Sequence, residues 1–172
     1  MRTASIYISG LIGLLFFSAW VDAAESHCQM QEQVIFSCSL GKKTVSVCAS
    51  KDFSVHSGYL QYRFGPLGMP ELIFPAVSAS DPVAQFIRAR TWMFAGGGGG
   101  YLRFINGQYH YLVYTAIGKG WGTKDGVAVE KNHQVITNLE CQNVPISEIS
   151  DDFFTRAGLQ VDQHEFEIPG LD

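Results

Sequence analysis

Apolar and β-branched residues recur along this chain in short runs of period two, cut by glycine, proline and asparagine. Val34-Ile35-Phe36-Ser37-Cys38 and Thr44-Val45-Ser46-Val47-Cys48 flank Gly41-Lys42 and predict a first hairpin. From Gly58 the pattern sets Leu60, Tyr62 and Phe64 on one face. Gly65-Pro66-Leu67-Gly68 then turns the chain, Glu71 to Phe74 returns, and Pro75 to Pro82 reads as loop. Phe86 to Phe94 is rich in aromatic and β-branched residues and reads as a strand. Tyr101 to Ile105 and Tyr109 to Tyr114 enclose Asn106-Gly107, a pair that favours the tight hairpin turn. Gly126 to Glu130 and Val135 to Leu139 predict a last hairpin over Asn132-His133. Between Pro145 and Gly158 the period changes: Ile146, Ile149, Phe153 and Phe154 fall near helical spacing, with Ser147 or Ser150 as cap and acids in the first turn. The residues after Gly158 read as a polar, acidic and partly disordered tail. Eight to nine short antiparallel strands and one C-terminal helix make an all-β barrel or sandwich.

The first residues follow a different rule. Arg2 precedes an uncharged stretch from Thr3 to Val21, centred on the apolar run Leu11 to Phe17. Val21-Asp22-Ala23 fits small-x-small cleavage, so residues 1–23 are expected to be a signal peptide. The apolar centre is short for a membrane anchor. Cys28 follows Glu25-Ser26-His27, not an apolar lipobox. This divides the chain into signal peptide (1–23), disulfide-bonded β domain (24–144) and helix with acidic tail (145–172), and places the mature protein in the periplasm or outside the cell.

All four cysteines, Cys28, Cys38, Cys48 and Cys141, lie beyond the cleavage point and read as two disulfides, for which three connectivities exist. Alternation in the first hairpin puts Cys38 on the face of Val45 and Val47 and Cys48 on the other. Cys141 shares the apolar face of Val135 and Leu139. The pairing expected from this is Cys28–Cys48 and Cys38–Cys141. A net charge of −4 gives no reason to invoke nucleic acid or an anionic membrane.

Chemistry is sparse. Gly96 to Gly100 lacks the lysine and helix of a phosphate loop; it reads as a flexible connection, or as a mobile loop that carries Tyr101 into a partner. Gly118 to Gly126 reads as a second loop, with Lys119, Trp121 and Lys124 available to a carboxylate-lined cleft. Tyr59, Tyr62, Trp92, Tyr101, Tyr109, Tyr111, Tyr114 and Trp121 could line a sugar- or protein-binding face, but most of the set reads as strand packing; Tyr101, Tyr109, Tyr111 and Trp121 stand out as candidate contacts. His27, His56, His110, His133 and His164 are scattered and each reads as a strand or turn residue. No serine elbow, zinc-protease or C-x-x-C pattern occurs. No metal, cofactor or catalytic residue is expected, and the chain leans away from enzymes.

Phe36-Ser37-Cys38, Val45-Ser46-Val47-Cys48, Tyr59 to Gly65, the glycine tract, Gly107 to Tyr114, Gly126 to Val129 and Cys141 together resemble a family of small, mostly uncharacterised exported proteins of Gram-negative bacteria. The resemblance spans roughly Cys28 to Cys141. More distantly the chain is similar to the periplasmic and membrane-bound lysozyme inhibitors, small disulfide-bonded β-barrels that place a Ser/Gly-rich loop with a tyrosine into the enzyme's cleft. That likeness implies such a part for Gly98-Gly99-Gly100-Tyr101 or for Ser57-Gly58-Tyr59. The function expected is a periplasmic, non-enzymatic binding protein that inhibits, or confers immunity against, a lysozyme-like cell-wall hydrolase. The alternative is a carbohydrate- or small-ligand-binding envelope module.

Overall fold

The computed structural model describes residues 25–54, 56–76 and 85–169. The expected signal peptide, most of the Pro75–Pro82 loop and the end of the tail lie outside them. In chain order the strands are β1 (Glu32–Ser39), β2 (Thr44–Ser50), β3 (Leu60–Gly65), β4 (Leu72–Phe74), β5 (Ile87–Phe94), β6 (Gly97–Asn106), β7 (Tyr109–Gly118), β8 (Gly122–Lys131), β9 (Gln134–Glu140), β10 (Ile146–Ser147) and β11 (Gln160–Val161). A short helix, α1 (Asp151–Arg156), lies between the last two. One sheet has the order β10-β1-β2-β3-β4, the other β11-β5-β6-β7-β8-β9. Neither closes into a barrel. The architecture is an all-β sandwich with a C-terminal helix.

The alternating residues of the two sheets meet in the core. Phe36, Val45, Val47, Leu60 and Tyr62 of the first sheet face Ile87, Leu102, Phe104, Val113 and Val127 of the second, all essentially without exposure. Tyr62 stacks on Tyr111 at 5.2 Å and tilts against Phe104 at 5.7 Å. Full burial of each large aliphatic or aromatic side chain contributes roughly 1.5–3 kcal/mol, so this interface supplies most of the drive to fold.

Both disulfides pair as expected. Cys38–Cys141 ties β1 to the chain just beyond β9 and joins the sheets, while Cys28–Cys48 staples the segment before β1 onto β2. The register explains the pairing: Cys38 lies opposite Val45 and Phe36 opposite Val47, whereas Cys48 lies opposite Val34 across a bulge.

Each sheet also buries its outer face under a strap of chain. On the first sheet, His27 donates its N–H to Ser46 Oγ at 3.0 Å, and Arg63 Nη1 donates to the His27 carbonyl at 2.9 Å. Arg63 also holds Glu32 through two hydrogen bonds, 2.7 and 2.5 Å long. On the second sheet the strap is the C-terminal tail. Val161 of β11 pairs in parallel with Ala89, and Phe166 and Ile168 complete a second core with Tyr101, Leu112, Tyr114 and Ala128. The acidic tail is therefore docked over most of its length.

Three other expectations change. Gly97 to Gly100 are strand, not loop, and pair on both sides. The tract is glycine because neighbours fill the space: a Cβ on Gly99 would meet the Thr115 carbonyl at 2.7 Å and the Trp92 ring at 2.8 Å. The Gly118–Gly126 loop shrinks to a turn over Lys119–Trp121, since Gly118 pairs with Gly122 and β8 starts there. The helix is shorter than its periodic pattern. Ile146 and Ser147 instead pair with β1, and Ser150 caps the helix by accepting from the Phe153 N–H at 3.2 Å.

Candidate functional site

The strap over the second sheet does not cover it evenly. Register places Arg90, Tyr101, Tyr114 and Gly126 in one row across the outer face, with Trp92, Gly99, Ala116 and Lys124 in the next. Phe166 packs on Tyr101 at 5.5 Å and on Tyr114 at 5.6 Å. Beyond Phe166 the floor is left open, and a cavity of about 470 Å³ remains between the tail and the β7–β8 turn. Trp92, Phe94, Tyr101, Trp121, Phe166 and Ile168 line it.

The local sequence makes this shape. Trp121 ends the tight turn and lies on Gly118, where a Cβ would come within 2.2 Å of the indole. Trp121 then stands 6.2 Å from Phe94, and Trp92 stands 5.9 Å from Tyr101. Both tryptophans are half-buried, so each keeps part of its ring open to the cavity. The rim is charged: Arg90 Nη2 donates to Glu165 Oε1 at 2.7 Å, and Glu167 lies beside them. Planar apolar walls with a few convergent polar groups are the usual make-up of a small-ligand site.

Next to the cavity a buried ionic cluster fixes the tail. Arg103, 1% exposed, donates Nε to Asp162 Oδ2 at 2.5 Å, Nη1 to Glu130 Oε2, and Nη2 to the His164 carbonyl at 3.2 Å. The Tyr101 hydroxyl shares its one proton between the His164 carbonyl at 2.8 Å and Asp162 Oδ2 at 3.1 Å. Burial, and then the Asp162 charge, push the Tyr101 hydroxyl well up, so it stays protonated as a donor. His110 Nδ1 lies 3.4 Å from Glu130 Oε2. Burial holds His110 below the usual histidine range; Glu130 opposes that, while the nearby charges of Arg103 and His133 add to it.

The residues singled out from sequence divide into two groups. Tyr101 and Trp121 come together in the cavity, with Gly99 and Gly100 in the sheet beneath, Lys119 exposed on the turn and Lys124 on β8 across from Ala116. Gly98 lies in β6 against Met93. Tyr101 is fully buried and committed to the tail, so it is not a protruding plug. Ser57, Gly58 and Tyr59 sit apart, before β3. Ser57 Oγ donates to the Asp52 carbonyl at 2.6 Å, and Tyr59 donates its hydroxyl to Glu32 Oε1 at 2.5 Å, within the Arg63 cluster. Tyr109 and Tyr111, the other candidates, are half-buried, and Tyr111 is in the core.

Sequence reasoning missed Phe94, Arg90 and the whole contribution of the tail. A signal was present: Glu165-Phe166-Glu167-Ile168 alternates with period two, and both apolar members are buried. The two disulfides fit an oxidising, extracytoplasmic compartment. Among the described residues no helix is long and apolar enough to cross a membrane. No family model, curated protein or solved structure matches this chain, and the chemistry of the cavity itself carries the functional reading.

Proposed function

We propose that the protein is an exported, periplasmic binding protein without catalytic activity, and that its ligand is a small glycan held between Trp92 and Trp121. The observation that carries this reading is the aromatic cavity on the outer face of the second sheet, with the Arg90–Glu165 pair at its rim. A sugar offers apolar C–H faces that stack on indole rings and hydroxyls that pair with a guanidinium or carboxylate. The cavity's volume falls in the range of roughly 300–1,000 Å³ typical of such sites. Its floor is formed by the paired strands β5 and β6, so that part needs little ordering on binding.

The experiment is a titration of oxidised protein with cell-wall muropeptides and chitin oligosaccharides, followed by tryptophan fluorescence and calorimetry. Binding that saturates, and that drops at least tenfold in Trp121→Ala with the fold intact, is the expected outcome. Equal binding by Trp121→Ala would remove the cavity from the account.

A second reading is favoured by the exposed, cationic turn at Lys119 beside Trp121. There the partner is a cell-wall hydrolase whose catalytic carboxylates meet Lys119, with Trp121 as anchor. Loss of lysozyme activity on adding the protein, restored by Lys119→Glu, distinguishes it from glycan binding.

A further inference from the structure

Three histidines far apart in the chain meet on the outer face of the second sheet. His110 projects from β7, His133 from the β8–β9 turn and His164 from the tail. The His133 ring stands 4.7 Å from His110, edge to face, and stacks on His164 at 4.2 Å. Glu130 lies beneath them. The donor atoms of His110, Glu130 and His133 lie within 4.8 Å of one another. We infer that His110, Glu130 and His133 form a binding site for a divalent transition-metal ion of the zinc class.

The donor set is two imidazoles and a carboxylate, which suits zinc, and three protein ligands leave one position for water. A tetrahedral zinc with donors at about 2.0–2.1 Å holds them roughly 3.4 Å apart. His110 Nδ1 and Glu130 Oε2 are already 3.4 Å apart. His110 and Glu130 are buried and fixed by neighbouring strands, whereas His133 is exposed and closes the site from outside. Ion entry has a route, because an opening of about 300 Å³ reaches His110, His133 and His164 from solvent. Arg88 lines that opening and turns Nη1 onto its neighbour's carbonyl, Ile87 O, at 2.9 Å.

Charge and backbone point the same way. Within hydrogen-bond contact, the guanidinium of Arg103 is shared by two buried carboxylates, Glu130 and Asp162. Arg103 Nη1 also stands 3.4 Å from His110 Nδ1, whose single ring lone pair serves either the guanidinium or the ion, so the ion must displace that contact. Glu130, a carboxylate with lone pairs for both, keeps Arg103 while it binds the ion. His133 has φ +63° behind Asn132 at φ +50°, a turn whose second place normally goes to glycine. A histidine there is strained, and from this turn its ring lies against His110 and His164. His164 does not complete the donor set; by stacking it holds the ring plane of His133, as a positioning residue. Among the described residues, a second grouping, Cys28, Glu32 and Cys48, has both sulfurs in a disulfide and offers no thiolate.

The test is calorimetric titration of the oxidised, chelator-stripped and tag-free chain with zinc chloride, beside the variants His133→Gly and His56→Ala. His133→Gly suits the turn better than the parent residue, so the fold is retained and circular dichroism confirms it. The expected result is one equivalent bound by the parent, at least tenfold weaker binding by His133→Gly, and no change in His56→Ala. Nuclear magnetic resonance should show the His133 ring signals shifting on zinc addition while those of His56 stay. No zinc binding by the parent at about 100 μM, or less than tenfold weakening in His133→Gly, overturns the assignment. Glycan binding is measured separately in the aromatic cavity, so either result stands without the other.

Discussion

Replacing Arg103 by methionine keeps a long side chain in place and removes the guanidinium. Glu130 and Asp162, 3% and 2% exposed, then stay in the protein without their cation. The two are not hit equally. Asp162 keeps the Tyr101 hydroxyl at 3.1 Å and the His164 N–H at 3.0 Å. Glu130 is left with the 3.4 Å approach of His110. Breaking a buried pair by removing one partner costs about 3–5 kcal/mol, because the other charge remains buried. The surviving bonds to Asp162 keep the loss within that range instead of doubling it. For a chain of this size such a loss lowers Tm by roughly 6–20 °C, at about 2–4 °C per kcal/mol. Urea unfolding of the oxidised protein at pH 7 reads it directly: the midpoint should fall with little change in m-value. In Arg103→Met/Glu130→Gln, where the stranded charge is gone, part of the loss should return as a coupling energy. A loss below about 1 kcal/mol, the size of an exposed pair such as Lys43–Glu71, would refute the view that this cluster holds the tail.

Two further outcomes are expected. Burial alone would raise the carboxyl of Glu32, but hydrogen bonds from Arg63, Tyr59 and the Gln29 N–H outweigh it and hold Glu32 below its ordinary 4.5. A carboxyl with a depressed folded pKa lends stability that is whole above its unfolded pKa and disappears as pH falls through the folded one. Urea midpoints from pH 6 to pH 3 should therefore decline more steeply for the parent than for Glu32→Gln, and parallel curves would exclude this role. Gly118→Ala drives a methyl into the Trp121 ring, so the indole must swing away or the turn must open. Thermal melting should report about 1–3 kcal/mol of overpacking and fluorescence an altered Trp121 environment; an unchanged spectrum would show that the ring is not seated on Gly118.

Most of the sandwich was legible because its signals are local. Asn106-Gly107 and the alternation of Phe36, Cys38, Val45 and Val47 mark two hairpins and put Cys38 and Cys48 on opposite faces, which favours the observed disulfides. Val135 and Leu139, however, read as the apolar face of Cys141, are exposed. What escaped depends on partners distant in sequence. Gly97 to Gly100 read as loop by propensity, yet their strand conformation is set by the carbonyls and side chains, the Trp92 ring among them, that crowd them. The tail read as solvated, since Phe166 and Ile168 are diluted by acids and their partners lie on β6 and β7. His110, His133 and His164 looked scattered for the same reason: a turn, a strand and a docked strap bring them together, and no spacing rule spans such separations. The candidate chemistry was thus half visible, with Trp121 and Tyr101 found and the ionic and histidine clusters missed.

The strap on the second sheet also bears on the order in which the chain can finish folding. Asp162 follows Arg103 by 59 residues, and Cys141 precedes Asp162. Both disulfides lie wholly upstream of Asp162, so neither needs the docked tail in order to close. A chain with its cysteines fully oxidised is therefore not yet a finished one, and a thiol count would pass molecules that a protease could still tell apart by the undocked tail.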